Sequence, residues 1–265
     1  MRLVLTFLLC ALTSMASGAQ PEDQSSEARG RAIAEEAARR DDGFGDSTTK
    51  LTMRLVGADG RVRERRLTWQ VLENPDPDDG DKSLTIFHEP RDIAGTAFLT
   101  FTHIGRDDDQ WLYLPALKRV KRISAVNKTS AFMGSELAYE DLLSDEVENF
   151  DYRWIRDETC GDLTCFVLER RPRYDHSGYS KQVVWLDQTE YRPMRIEYHD
   201  LRDRHLKTLR IEDYQQYLTR YWRGHTYRME NHLSGKETLL FFEPYEFKTG
   251  LTDQAFDPNG LRRLR

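Results

Sequence analysis

The chain has 265 residues, of which 38% are hydrophobic, 11% aromatic and 32% charged, which fits a folded domain with a sizeable core and excludes a wholly disordered chain. Its formal net charge of −6 argues against a nucleic-acid partner, which selects a basic surface. Beyond one run at the N-terminus, no apolar stretch has the length needed to cross a membrane as a helix.

Met1-Arg2, the apolar run Leu3 to Leu12 and the small residues Ser17-Gly18-Ala19 follow the order of a secretory signal peptide. An uncleaved anchor is the other reading. Cleavage predicts residues 1–19 as leader and residues 20–265 as one exported domain. Cys10 leaves with the leader, since Leu9 stands where lipid attachment would need a small residue.

Glu27 to Arg40 is the clearest helix. Ala28, Ala32, Ile33 and Ala37 form a narrow apolar stripe away from Glu35, Glu36, Arg39 and Arg40, and Gly43 follows as a stop. So thin a stripe predicts a helix lying on a sheet. Asp41, Asp42 and Asp46 lack the ligand spacing and terminal Glu of a calcium loop. Leu51, Met53 and Leu55 alternate with Thr52 and Arg54. A turn at Gly57-Ala58-Asp59-Gly60 leads to a return strand with Leu67, Trp69 and Val71 on one face. Asn74 to Asp81 is an acidic loop by composition.

The stretch from Gly95 to Leu143 organises the rest. Ala97, Leu99 and Phe101 share one strand face, with Phe98, Thr100 and Thr102 on the other. Asp107 to Asp109 turn the chain, Trp111 to Leu114 return, and Pro115 ends the strand. Lys118, Arg119, Lys121 and Arg122 then flank Val120, a basic block in an acidic protein. It is either a solvated strand or a docking site for anionic headgroups or an acidic partner, each basic residue contributing about 1 kcal/mol at an anionic membrane. Phe132-Met133 sit among polar residues and predict a surface to cover. Ser135 is placed to cap a short helix through Leu143.

From Phe150 onward, alternating runs such as Phe150, Tyr152, Trp154 and Met194, Ile196, Tyr198 are separated by turn signals every ten or so residues, the pattern of an antiparallel sheet curling on itself. Leu251 to Phe256 reads as either a short helix or an edge strand. Cys160 and Cys165, an even pair in an exported chain, predict a disulfide at a hairpin tip, stabilising by about 2 kcal/mol. Their spacing is wider than a redox CxxC, and no zinc ligand set accompanies them.

The strings DDQWLYLPALKRVKRI and FMGSELAYEDL resemble the LolA-like group of outer-membrane lipoprotein-sorting proteins. So do DGFGDSTTKLTMRLVGADG, DKSLTIFHEPRDIAGTAFLT and FKTGLTDQAF, so that the resemblance covers most of the chain after the leader. It implies a mainly β (α+β) fold: an unclosed antiparallel β-barrel, or half-barrel, with a few helices over its mouth and an apolar cavity between. It also implies a periplasmic carrier of lipoprotein or lipid, working between an inner-membrane transporter and an outer-membrane acceptor.

The residues themselves carry no catalytic motif. His88, His103, His176, His199, His205, His225 and His232 stand in no HxxxH or HExxH frame, and Ser135 in MGSEL is not a GxSxG elbow. The expectation is a non-enzyme without metal or cofactor, and a monomer. An acyl chain of ordinary length costs roughly 12 kcal/mol to leave in water, so a lipid carrier needs an apolar lining. Its candidates are Leu84, Ile86, Leu99, Phe101, Trp111, Tyr113, Phe132, Met133, Phe166, Leu168, Trp185 and Ile196, each equally suited to an ordinary core, with Phe132 and Met133 favoured. Lys118, Arg119, Lys121 and Arg122 are the candidates for transient membrane or partner docking. An envelope scaffold or sensory module of the same fold, binding a partner protein, is the alternative.

Overall fold

A computed structural model describes residues 21–76 and 79–263 of the chain. The expected leader, with Cys10, lies outside the described residues, as do Pro77 and Asp78 of the acidic loop. Helix α1 spans Pro21–Asp41, starting ahead of the predicted Glu27. The strands are β1 (Asp46–Val56), β2 (Val62–Leu72), β3 (Lys82–Glu89), β4 (Ala97–Phe101), β5 (Asp109–Leu114), β6 (Arg119–Ile123), β7 (Phe150–Cys160), β8 (Leu163–Pro172), β9 (Tyr179–Asp187), β10 (Pro193–Asp200), β11 (His205–Glu212), β12 (Gln215–Tyr217), β13 (Tyr221–Arg223), β14 (Thr226–Asn231), β15 (Lys236–Phe242) and β16 (Glu246–Phe247).

One antiparallel sheet runs in the order β6-β5-β4-β3-β2-β1-β15-β14-β11-β10-β9-β8-β7. β1 and β15 form its central seam, with Leu51 opposite Phe242 and Met53 opposite Leu240, so the two ends of the chain meet mid-sheet. β6 and β7 are the edges and do not pair with each other, which leaves the barrel unclosed. The short β12–β13 hairpin stands apart from the sheet.

Register sorts the side chains onto two faces. On the inner face Leu168, Val184, Ile196, Leu209 and Met229 are in register across β8, β9, β10, β11 and β14. They belong to the main core, together with Ile33 and Ala34 of α1. On the outer face Leu84, Leu99 and Trp111 line up across β3, β4 and β5. A C-terminal segment covers them: 3₁₀ turns at Asp253–Phe256 and Gly260–Arg263 bury Phe256 and Leu261 to 1% exposure against Leu84, Ala97 and Leu99. This settles the open reading of Leu251 to Phe256.

The predicted helix from Ser135 to Leu143 does not form. Residues 124–149 cross the inner face as a strap of 3₁₀ turns at Ala125–Asn127, Phe132–Gly134, Tyr139–Leu142 and Val147–Asn149. Met133 (φ 50°) and Gly134 (φ 75°) reverse the chain so that Ala131 bridges Ala138. The sheet supplies hydrogen bonds a helix would otherwise make for itself. Gln110 Nε2 donates to Tyr139 O at 2.9 Å, and Thr238 Oγ1 accepts from Glu136 N at 2.9 Å. Ser135 Oγ turns back to Phe132 O at 2.7 Å instead of capping.

Cys160 and Cys165 are bonded and close the tip of the β7–β8 hairpin. Three of the scattered histidines come together: His205 and His232 both reach Thr208 Oγ1 at 2.8 Å, and His199 stacks on His205.

α1 keeps Ile33 and Ala37 of the predicted stripe toward the core and exposes Ala28 and Ala32. Gly30, Ile33 and Ala34 face the sheet. Gly30 sets this rotation, because a Cβ there would lie 2.6 Å from the backbone nitrogen of Trp154 on β7. Alanine raises helix propensity by about 1 kcal/mol over glycine, but overpacking against rigid backbone costs about 1–3 kcal/mol. Gly30→Ala is therefore expected to lower Tm and to expose α1 to limited proteolysis; an unchanged or raised Tm would show that the helix does not sit this close.

Candidate functional site

α1 and the strap do not cover the whole inner face. Between them and the sheet lies a cavity of about 1180 Å³, above the range of about 300–1,000 Å³ for ordinary small-molecule sites. Leu168, Val184, Ile196 and Leu209 make its apolar floor, and Ala34, Ala37 and Ala38 of α1 line it from the helix side. Trp69, Trp222, Tyr214, Tyr227 and Tyr245 add aromatic walls.

Beside the apolar row runs a polar one, also in register: Tyr152, Arg170, Gln182, Tyr198, Lys207 and Asn231 across β7, β8, β9, β10, β11 and β14. The strap sets its acids on this row. Asn231 Nδ2 donates to Glu136 Oε2 at 2.7 Å, Lys207 Nζ to Asp141 Oδ2 at 2.5 Å, and Arg170 Nη2 lies 3.0 Å from Asp145 Oδ1. Tyr179 donates its hydroxyl to Asp141 Oδ1 at 2.7 Å. A smaller pocket of about 440 Å³, lined by Ser135, Leu137, Gly178, Arg204 and Lys207 among others, lies by the same strap.

Burial shapes the electrostatics. Glu140 is pushed up to about 7 by desolvation and by Asp141, against the hydrogen bonds it accepts from Gly178 N and Ser177 Oγ and the charge of Lys128. Asp81, beside the cavity, is also raised to about 7 by desolvation, with Glu146 and Glu73 adding to it. The phenols of Tyr152 and Tyr227 are raised to about 12 by burial, so the cavity presents neutral hydroxyls.

Of the twelve predicted lining residues, Leu168 and Ile196 lie in the cavity wall. Phe166 shares their face but packs on Tyr191, ring centroids 5.4 Å apart. The other predicted residues lie outside this cavity. Leu84, Ile86, Leu99, Phe101, Trp111 and Tyr113 lie on the outer face, in the cluster beneath the C-terminal segment. Trp185 is on the outer face too, with Cys165 and Val167, and Arg195 stacks 3.5 Å from its ring centroid. Phe132 is 1% exposed and packed against Phe98, Phe87 and Tyr139 at 5.1, 5.9 and 5.6 Å, with Met133 against the same core. The pair thus plugs the β3–β5 end of the inner face and does not line the cavity.

The physical reason is that these strands are apolar on both faces. Ala97, Phe98 and Leu99 are all buried, as are Val184, Trp185 and Leu186, so period-2 alternation cannot say which set points inward. Val184, Leu186, Leu209 and Ile211, all in the wall, fall outside the predicted lining set.

The basic block is an edge. Lys118, Arg119, Lys121 and Arg122 are exposed on or beside β6, and Arg122 pairs with Asp109. Charges along an unpaired strand discourage edge-to-edge addition, which accounts for their placement without a ligand.

A model of a family described as "Uncharacterized protein" matches residues 79–263. No curated protein matches. Among solved structures, a protein domain from Vibrio parahaemolyticus named for outer membrane lipoprotein sorting is 48% identical, with a TM-score of 0.87 over 89% of this chain and 100% of that one. A DUF1329 family protein from Desulfovibrio piger is 29% identical, with a TM-score of 0.84 over 89% and 99%. A LolA superfamily protein from Nitrosomonas europaea, 23% identical with a TM-score of 0.68 over 86% and 97%, shares the fold.

Glu140 makes stability depend on pH. Its folded carboxyl titrates at about 7, above its ordinary 4.5, so on raising the pH the unfolded chain loses this proton first. Stability from this group is full below about pH 4.5, is lost as pH rises to about 7, and stays lost above. Glu140→Gln is expected to raise Tm at about pH 8 and to converge on the wild type near pH 4; a Tm difference independent of pH would refute this assignment.

Proposed function

From the premise that the chain belongs to the LolA-like outer-membrane lipoprotein-sorting family, we propose that it is a periplasmic carrier that holds the acyl chains of a lipoprotein or lipid in the cavity under α1. The observation that carries the reading is the apolar floor left uncovered there: a cavity of about 1180 Å³ on a row of Leu168, Val184, Ile196 and Leu209. Each methylene moved from water to such a surface gains about 0.8 kcal/mol, and no covalent step is needed for loading or release. The leader expected at residues 1–19 would export the chain. The Cys160–Cys165 disulfide supports an oxidising compartment. An inner-membrane transporter would supply the cargo and an outer-membrane acceptor would take it. Lys118, Arg119 and Lys121, exposed on one edge beside Leu117 and Val126, would give transient contact with an anionic membrane.

The test is lipid extraction and mass spectrometry on mature protein purified from the envelope without detergent. The expected result is an acylated species near one per protein. Ala38→Trp, which fills the cavity from α1, should cut that occupancy severalfold, while Trp111→Ala, on the outer face, should leave it unchanged. Wild-type protein free of lipid that also takes up no fatty acid would overturn the carrier reading. Loss of vesicle flotation in Lys118→Glu/Lys121→Glu, with lipid occupancy retained, is the expected signature of the docking edge; unchanged flotation would exclude that role.

A further inference from the structure

We propose that Arg170 is the seat for an anionic head group, carboxylate or phosphate, of the amphiphile held in the cavity, and that Asp145 competes with that group for the guanidinium. This rests on the carrier reading and adds to it the charge class of the cargo.

Arg170 projects from the inner face of β8, is 7% exposed, and belongs to the cavity wall. It stands two residues from Leu168, where the polar and apolar rows run side by side. An amphiphile with its chain on the apolar row therefore brings its head to this guanidinium. The orientation of the group is set without any acid. Its Nε donates to Gln182 Oε1 at 2.7 Å, its central carbon lies 4.4 Å from the centroid of the Phe150 ring, and register places Tyr152 on the strand beside it. Nη2 faces Asp145.

The pair is asymmetric. The Arg170 side chain is 9% exposed and that of Asp145 63%. Among the described residues, two other large-sheet ion pairs built into the inner face and its rim are closed. Lys207 and Asp141 are 4% and 2% exposed, and Arg192 pairs with an Asp187 of 0% exposure whose oxygens also accept three backbone N–H groups. Arg223 pairs with a half-exposed Asp41, but on β13, off the large sheet that makes the floor. Among the described residues, Arg170 is the one buried cation on the floor that depends on a solvent-facing acid, carried between the turns Tyr139–Leu142 and Val147–Asn149. A buried cation needs a partner, whereas an exposed carboxylate returns to water at little cost. Exchange of Asp145 for a ligand anion keeps Arg170 paired and leaves no buried charge without a partner.

The experiment titrates delipidated mature protein with palmitate, palmityl phosphate and methyl palmitate by calorimetry. Wild type is expected to favour one or both anions over the ester by about tenfold to hundredfold, the worth of a charge-assisted hydrogen bond; the tighter of the two identifies the head group. Arg170→Gln should abolish that preference and leave the ester bound. Asp145→Asn should raise the ratio of anion to ester affinity, and because Asp145 is exposed this variant reads the proposal even if Arg170→Gln fails to fold. Equal affinity for acid and ester in wild type, unchanged in Asp145→Asn, would overturn the head-group seat while the cavity reading stands. Failure of all three ligands to bind would overturn both.

Discussion

A sheet that is apolar on both faces must be covered on both, and this chain has only short pieces of cover to spend. The outer face of β3–β5 is closed by a C-terminal segment that buries Phe256 and Leu261. The inner face at the same strands is closed by the strap, with Phe132 wedged between Phe87 and Phe98. Each such side chain contributes about 1.5–3 kcal/mol when fully buried, which holds these irregular segments down without helical hydrogen bonding. On β8–β11 the supply runs short. α1 leans on β7 through Gly30, and the floor beyond it stays uncovered. The cavity is the part of the inner face that α1 and the strap span without filling.

The strap is tied unevenly to the sheet it crosses. Lys207 and Asp141 are buried together, and removal of one partner from such a pair costs about 3–5 kcal/mol because the other charge is stranded. That point is an anchor. Glu140 beside it is held by Gly178 and Ser177 and stays partly protonated near neutral pH. Toward Asp145 the grip loosens, since one partner already faces water. The strap is therefore firm where it covers core and yielding where it borders the cavity, the distribution of stability that a binding site with an entry needs.

The chain belongs to the lipoprotein-sorting family, and its inner face holds a cavity large enough to serve the proposed container. The polar row, however, separates this container from a plain hydrocarbon slot. Arg170, Gln182 and Lys207 lie in register beside Leu168, Val184 and Leu209. One floor thus offers an apolar lane and a charged lane, a surface matched to an amphiphile and not to an alkane. The exposed charges of β6 have a simpler physical basis, since an unclosed sheet must protect its free edge.

The sequence by itself determined most strands and their turns, the disulfide, the helix after the leader and, through DDQWLYLPALKRVKRI and FMGSELAYEDL, the family. Local signals suffice for these: alternation marks a strand, Gly and Asp pairs mark turns, and two cysteines at a hairpin tip can reach only one another. Which face of each strand looks inward was decided by tertiary structure alone. In β4 and β9 consecutive residues are buried, such as Ala97, Phe98 and Leu99, and period 2 then carries no information about direction. The direction depends on what covers each face, and both covers come from distant parts of the chain: Phe132 from the strap, Phe256 and Leu261 from the C-terminal segment. The alignment of Arg170 with Gln182 and Tyr198 is likewise a matter of register between strands, set by pairing across turns and bulges that no single strand encodes.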